Sequence, residues 1–295
     1  MNVIFIEPSF PYNQREFVRA LHAAGANVIG IGERPESHLS DEMKHWLGEY
    51  VQIRSVVEEE LLLKAVRFVQ DHLWVDRLET TVEAHIMAAA AVREKTGIPG
   101  TSPRTAWLCR DKPAMKEELR KAGVPCALST RATTPREARD FAEATGYPLI
   151  VKPPDGAGAS GTYKVRDADQ LERVIRQSGL EAGHAVAMEE FIEGHEGYID
   201  TLTIDGEVAH EFITHYYPNV LEAMRERWIS PQMVTTNRID AEGYEEVRKL
   251  TRKVIRLFGI GTSATHMEWF FGPKGLKFSE IGCRPPGVGQ WDVYN

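Results

Sequence analysis

Two stretches late in the sequence carry the residue types best suited to chemistry. His266-Met267-Glu268-Trp269-Phe270 is followed by Glu280-Ile281-Gly282-Cys283-Arg284-Pro285-Pro286-Gly287. They place one carboxylate on each of two strands expected to pair, with an arginine shortly after the second. Two carboxylates on neighbouring strands can hold a hard cation such as Mg²⁺. That ion takes one or two protein carboxylates and leaves phosphates and water to complete its shell. An adjacent arginine can stabilise charge on a transferring phosphoryl group or an oxyanion. His266 lies two residues before Glu268, so on a strand it shares that face. It could orient a substrate carboxylate, act as a base, or simply be a satisfied neighbour of the site.

The counterpart would be a phosphate-binding region, and the middle of the chain offers one. Leu149-Ile150-Val151-Lys152 runs into Pro153-Pro154-Asp155-Gly156-Ala157-Gly158-Ala159-Ser160-Gly161. Glycines at 156, 158 and 161 let backbone approach a ligand closely, and Ser160 with nearby N–H groups could cradle phosphate oxygens. No Gly-Lys-Ser/Thr closes the loop and no helix follows at once, so it is not a P-loop. Lys152 could reach a phosphate as a point charge, or it could be a surface lysine beside a hairpin. Glu189-Glu190-Phe191-Ile192-Glu193-Gly194-His195-Glu196 is an apolar strand segment flanked by carboxylates. Such a segment can offer backbone groups to a base edge and a carboxylate to ribose hydroxyls. It reads equally as a strand end with a solvated acidic turn. Lys112 opens a charged helix, where an ammonium could meet a phosphate or remain in solvent.

These side chains need a frame. Residues 2–7, a helix over 13–24 and a strand over 27–32 form a β-α-β unit whose natural home is a parallel sheet. A strand near Val51–Ile53, a helix over 58–69 and an Ala-rich helix over 80–95 extend it. The first βα turn has no GxGxxG, so nothing marks this unit as a dinucleotide binder. Helices are expected over 110–121, 135–145 (with Thr134 as N-cap) and 168–177. Strands flank the Gly-rich loop and run over 186–191. Strands over 198–204 and 207–214 meet at Asp205-Gly206, a hairpin turn signal. Residues 216–238 read as irregular, with His215, Tyr216, Tyr217, Asn219, Arg225, Arg227, Trp228 and Arg238 forming either a specificity region or a small surface lobe. A helix over 241–258 precedes the two carboxylate strands.

Composition sets the bounds. The 295 residues are 42% hydrophobic and 26% charged, with net charge −8; this is globular material for two or three packed units, without the basic stripe of a nucleic-acid binder. Cys109, Cys126 and Cys283 are odd in number and scattered, which argues against a disulfide framework or zinc site and suits a reducing cytoplasm. No apolar run is long enough to cross a membrane, and the first residues lack the cationic leader of a signal peptide.

The order of the motifs resembles the ATP-grasp superfamily: Lys112, Lys152 before a Gly-rich hairpin, the acidic strand 189–196, then Glu268 and Glu280 with Arg284. The resemblance covers about residues 1–290. It implies a mixed α/β and α+β fold: an open preATP-grasp domain over 1–105, a first ATP-grasp lobe over 106–185 and a second over 186–295. It implies ATP as cofactor, with Lys112 and Lys152 on the phosphates and the loop bearing Gly158, Ser160 and Gly161 closing over them. Glu189, Glu190, Phe191 and Ile192 would meet adenine, and Glu196 the ribose. Glu268 and Glu280 would hold Mg²⁺, with Mn²⁺ as an alternative ion, and Arg284 would face the reacting acyl phosphate. The implied activity joins a small-molecule carboxylate to an amine in the cytoplasm, with no nucleic-acid or membrane partner and a homodimer as a candidate assembly. Bicarbonate chemistry of the carboxylase or carbamoyl-phosphate type, or nucleotide binding without catalysis, are the alternatives. One departure stands out. The family's metal strand usually reads Glu-Ile-Asn, and here Gly282 replaces the asparagine.

Overall fold

The computed structural model describes residues 1–153, 161–225 and 228–287, together with Gln290 and Tyr294. Gly156, Gly158, Ser160 and Arg227 lie outside the described residues. Three sheets organise the chain, each with its own helical cover.

The first sheet holds β1 (Asn2–Ile6), β2 (Asn27–Gly32), β3 (Leu47–Gln52) and β4 (Arg77–Glu79) in the order β3-β2-β1-β4, all parallel. Its central strands are continuous apolar runs because helices cover both faces. On one side Ile4, Ile6, Ile29 and Ile31 pack against Leu62, Val66, Val69, Ala89 and Val92. On the other, Phe5 and Val28 meet Val18 and Met43. The expected helix over 80–95 is shorter than its Ala-rich pattern suggests. A 3₁₀ turn occupies Glu83–His85, and the α-helix runs Ile86–Thr96. The three-residue β4 just before it was too short to show a period of its own.

The second sheet is antiparallel: β5 (Ser129–Ala132), β6 (Leu149–Lys152), β7 (Tyr163–Val165) and β8 (Val186–Glu190), in the order β5-β8-β6-β7. The helices Pro135–Thr145 and Ala168–Gln177 match expectation, and Thr134 with Glu137 forms a capping box on the first. β8 lies between β5 and β6, so residues 186–190 share a sheet with β5, β6 and β7.

The third sheet has β9 (His195–Ile204), β10 (Glu207–Tyr217), β11 (Gln232–Thr235), β12 (Ser263–Gly272) and β13 (Gly275–Gly282), in the order β11-β10-β9-β12-β13. The β9–β10 hairpin turns at Asp205-Gly206 with φ of 51° and 87°, the left-handed values a tight two-residue turn needs. Residues 216–238 are more regular than expected. They continue β10, form the short helix Val220–Arg225 and add β11 at the sheet edge. The helix Glu245–Phe258 covers one face through Val247, Leu250, Val254, Ile255 and Phe258. The same core takes in Met115 and Leu119 of the helix Lys112–Lys121, which fixes that helix against the third sheet.

Candidate active site

A cavity of about 460 Å³ opens between the second and third sheets. Its lining includes Lys112, Lys152, Glu189, Glu190, Phe191, Ile192, Glu196, Glu268 and Glu280. Residues separated by more than 150 positions thus share one hollow. Strand alternation and one irregularity bring them there. His266 pairs with Asp200, and Glu268 with Tyr198, so β9 and β12 present these residues on one face. Glu280 reaches that face through a bulge. Glu268 pairs with Glu280, yet Trp269 pairs with Phe278, leaving Ser279 as the extra residue. Phe278 points into the core with Trp269; strict alternation would send Glu280, two residues on, the same way, and the irregularity at Ser279 turns it to the cavity instead.

The acidic end holds three carboxylates. Glu196 is 6% exposed. Its Oε2 accepts the Val220 N–H at 2.7 Å, and its own N–H donates to Asn219 Oδ1 at 3.0 Å. Burial, then the charge of Glu268, pushes its carboxyl up to about 8. Glu280 lies 3.3 Å from Lys112 Nζ. Burial would raise its pKa, but Lys112 and Lys152 outweigh burial and hold it below the usual range. His266 sits between two acids, with Nδ1 2.6 Å from Asp200 Oδ1 and Nε2 3.6 Å from Glu268 Oε1. Burial opposes its protonation, but hydrogen bonding to Asp200 and then Glu268 lifts it to about 9. Asp200 is fully buried and also accepts from the Tyr294 hydroxyl.

The cationic end is built around Glu189. Its Oε2 receives Lys116 Nζ at 2.7 Å and Lys152 Nζ at 2.9 Å. Burial works against the charged carboxylate, yet the two ammonium groups draw its pKa down to about 2. Burial would lower Lys152, but Glu189 and Glu280 keep its pKa above the ordinary value. Glu189 Oε1 is buried and lacks a hydrogen-bond partner among the described residues. Beside it, Lys164 Nζ lies 3.4 Å from the Phe191 ring centre. Glu190 turns to the other side, binding Lys277, Lys274 and the Leu128 N–H.

Arg284 is held in an ion pair. Its Nε pairs with Glu83 Oε2, whose other oxygen lies 3.1 Å from Arg110 Nη1. In this arrangement the guanidinium faces Glu83, and Arg284 is not among the residues lining the cavity. A Cβ on Gly282 would sit 3.5 Å from Arg284 Cγ and 3.7 Å from Glu83 Oε2. The space where the family's asparagine would project is therefore bordered by this ion pair. Gly161 takes the left-handed φ of 68° where the chain re-enters β7. Within the proposed specificity region, Asn219 lines the cavity, His215 faces away toward Trp269, and Trp228 is exposed.

Two residues here were missed in the sequence. Lys116 looked like one more charge on a charged helix; its spacing of four from Lys112 and its neighbour Met115 were the available signals. Glu83 was hidden inside a stretch read as uninterrupted helix.

The donors fit a divalent cation. Glu268 and Glu280 face each other across paired strands, and two carboxylates are what Mg²⁺ takes from protein when phosphates complete its shell. They also fit a nucleotide, because the orphaned Glu189 Oε1 needs a donor such as a base amino group. Among the described residues no helix is long and apolar enough to cross a membrane.

Comparison with known proteins gives the family. The model of the carbamoyl-phosphate synthase L chain ATP-binding domain matches residues 111–284. An L-arginine-specific L-amino acid ligase of Bacillus subtilis is 29% identical over 220 residues, covering 72% of this chain and 52% of that protein. The chain thus spans about half the length of that curated relative. The crystal structure of an L-amino acid ligase from Bacillus licheniformis aligns over 98% of this chain and 68% of its own, with a TM-score of 0.77 and 21% identity. A 2-oxoglutarate carboxylase biotin carboxylase domain of Hydrogenobacter thermophilus, in complex with MgADP, ADP and bicarbonate, aligns over 97% and 65% with a TM-score of 0.74 and 20% identity. At these identities the structures speak to the fold. The family model spans more than half of the chain, from the cap of the Lys112 helix to Arg284, and the protein belongs to this ATP-binding domain family and, with it, to the ATP-grasp superfamily.

Proposed function

We propose that the chain carries the nucleotide site of an ATP-dependent ligase that activates a carboxylate as an acyl phosphate for attack by an amine. The observation that carries this reading is the charge gathered in one cavity. Lys112 and Lys152 line the same hollow as Glu196, Glu268 and Glu280, with Lys112 Nζ 3.3 Å from Glu280. The first 105 residues would form the preATP-grasp domain. The two grasping lobes would be the second and third sheets, divided after residue 190.

Adenine would enter against Glu189 to Ile192, donating its amino group to Glu189 Oε1, and Glu196 would accept from the ribose. Lys112 and Lys152 would lie along the phosphates, with Gly158, Ser160 and Gly161 closing above. Glu268 and Glu280 would hold Mg²⁺, which when bound neutralises charge on the phosphoryl oxygens. A substrate carboxylate oxygen attacks the γ-phosphorus, the bond to the β-phosphate oxygen breaks, and ADP leaves. The amine then attacks the acyl carbon and inorganic phosphate departs. His266, held by Asp200, stands beside the reacting end and can orient the carboxylate. Arg110, Glu83 and Arg284 offer charges of both signs at the edge of that end, a set suited to an amino acid substrate.

The amino acid ligase relative favours an amine as acceptor; the bicarbonate-bound neighbour motivates the second reading. Measuring ADP release with Mg²⁺ against single amino acids, pairs of amino acids and bicarbonate separates them. Release that requires both a carboxylate and an amine is expected. Release with bicarbonate alone would establish the second reading, and tight nucleotide binding with no release under any condition would mean a non-catalytic clamp.

A further inference from the structure

The helix Lys112–Lys121 sends two lysines in different directions. Lys112 lines the cavity and reaches Glu280. Lys116, one turn later, does not line the cavity and is 1% exposed. Its ammonium approaches Glu189 from the core side and binds the same oxygen that holds Lys152. Burying a lysine so fully is costly unless its charge is used.

Counting charge shows the use. Lys152 and Glu189 alone would form a neutral pair, and the carboxylate that fixes the lysine would also cancel it. Lys116 adds one positive charge behind the carboxylate, so the three groups together carry +1. We propose that Lys116 is a positioning residue: it neutralises Glu189 from behind, so that Glu189 can hold Lys152 in place while the charge of Lys152 stays available to an anionic polyphosphate. The inference rests on the nucleotide site proposed above. It adds a residue that touches no ligand.

The test is binding of MgADP, the non-hydrolysable β,γ-imido analogue of ATP, and adenosine to the chain and to Lys116→Met, Lys116→Arg and Lys116→Met/Glu189→Gln variants. For Lys116→Met, ADP and the ATP analogue are expected to bind about thirtyfold more weakly, the effect of a unit charge roughly 8 Å away at an effective dielectric near 20. Adenosine, which has no phosphate, should bind within threefold of wild type. Lys116→Arg restores the charge and should recover ADP binding to within about threefold. Lys116→Met/Glu189→Gln again leaves Lys152 uncancelled, and its ADP affinity relative to its own adenosine affinity, which cancels the changed base contact, should be about tenfold higher than in Lys116→Met. Three results would each overturn the inference: unchanged ADP binding in Lys116→Met, an equal loss for adenosine, or a double variant no better than the single one by that ratio. If Lys116→Met does not fold, Lys116→Gln takes its place, with the same loss expected for ADP and the ATP analogue and the same binding for adenosine, and unchanged ADP binding refutes the proposal. Wild-type protein that binds none of the three ligands instead refutes the nucleotide site itself.

Discussion

The two faces of the third sheet are built from the same strands and obey opposite rules. On the face toward the helix Glu245–Phe258, Ile199, Ile213, Met267, Trp269 and Phe278 pack into one apolar core. Polar groups there are satisfied within the protein: Thr201 and Thr265 hydrogen-bond each other at 2.6 Å, and Glu211 is ion-paired with Arg248 and Arg252 of the helix. On the face toward the cavity, alternating residues of β9 and β12 are Glu196, Tyr198, Asp200, His266 and Glu268. There three carboxylates crowd together, and the pKa of Glu196 rises to about 8. One face minimises its free energy within the protein. The other holds charge in a form that a bound cation and polyphosphate would complete. Strand alternation gives both for the same length of chain, and irregularities set its phase: one at Ser279 turns Glu280 to the cavity, and one between Val208 and His210 adjusts β10.

Four substitutions break or sharpen this contrast. The largest effect is expected from the cavity face. Glu280→Gln should lower turnover by about 10²–10³, the cost of removing a group that stabilises charge in the transition state. Steady-state ADP release checks this, and turnover within threefold of wild type would remove Glu280 from the mechanism.

Met267→Ala attacks the apolar face at the neighbouring position. A fully buried methionine truncated to alanine costs about 2–5 kcal/mol of stability, read by urea denaturation. Nucleotide affinity of the folded fraction should hold. A stable variant with lost binding would show that the faces are not independent.

The third effect appears in acid. The carboxyl of Glu189 falls from its ordinary 4.5 to about 2 in the folded protein. A depressed carboxylate contributes stability that is fully present above its unfolded value and lost as pH falls toward the folded one. The contribution is about 3 kcal/mol at neutral pH. It should fade between roughly pH 5 and pH 2. Stability measured against pH should therefore fall more steeply in wild type than in Glu189→Gln across that window. Parallel curves would mean that Lys116 and Lys152 do not hold Glu189 as described.

The smallest effect is expected from Thr265→Val. It removes one buried hydrogen bond and should cost about 1 kcal/mol, with catalysis untouched. A loss of activity would tie the core face to the chemistry.

Much of the site was legible as sequence because strands alternate. His266 and Glu268 had to share a face, and Lys152 at the end of an apolar strand had to emerge at its loop. The ordered motifs then pointed to the family. Other features could not be read. The Ser279 bulge leaves no mark on local composition, although it re-aims Glu280. Glu83 lay within an Ala-rich run whose helical propensity masked the 3₁₀ turn. β8 adjoins the following strand in sequence, but its partners β5 and β6 lie far back along the chain.

What the sequence by itself determined is the set of local elements and the identity of the charges, because both follow from side-chain period and chemistry within a few residues. Tertiary structure alone decided which charges meet. Lys116 and Lys121 belong to the same charged helix, yet Lys121 pairs with Glu117 and Glu118 in solvent while Lys116 is sealed against Glu189. The difference comes from the docking of that helix on the third sheet through Met115 and Leu119. Docking turns one face of the helix into a low-dielectric interior, where an ion pair is strong and an unpaired charge is not tolerated.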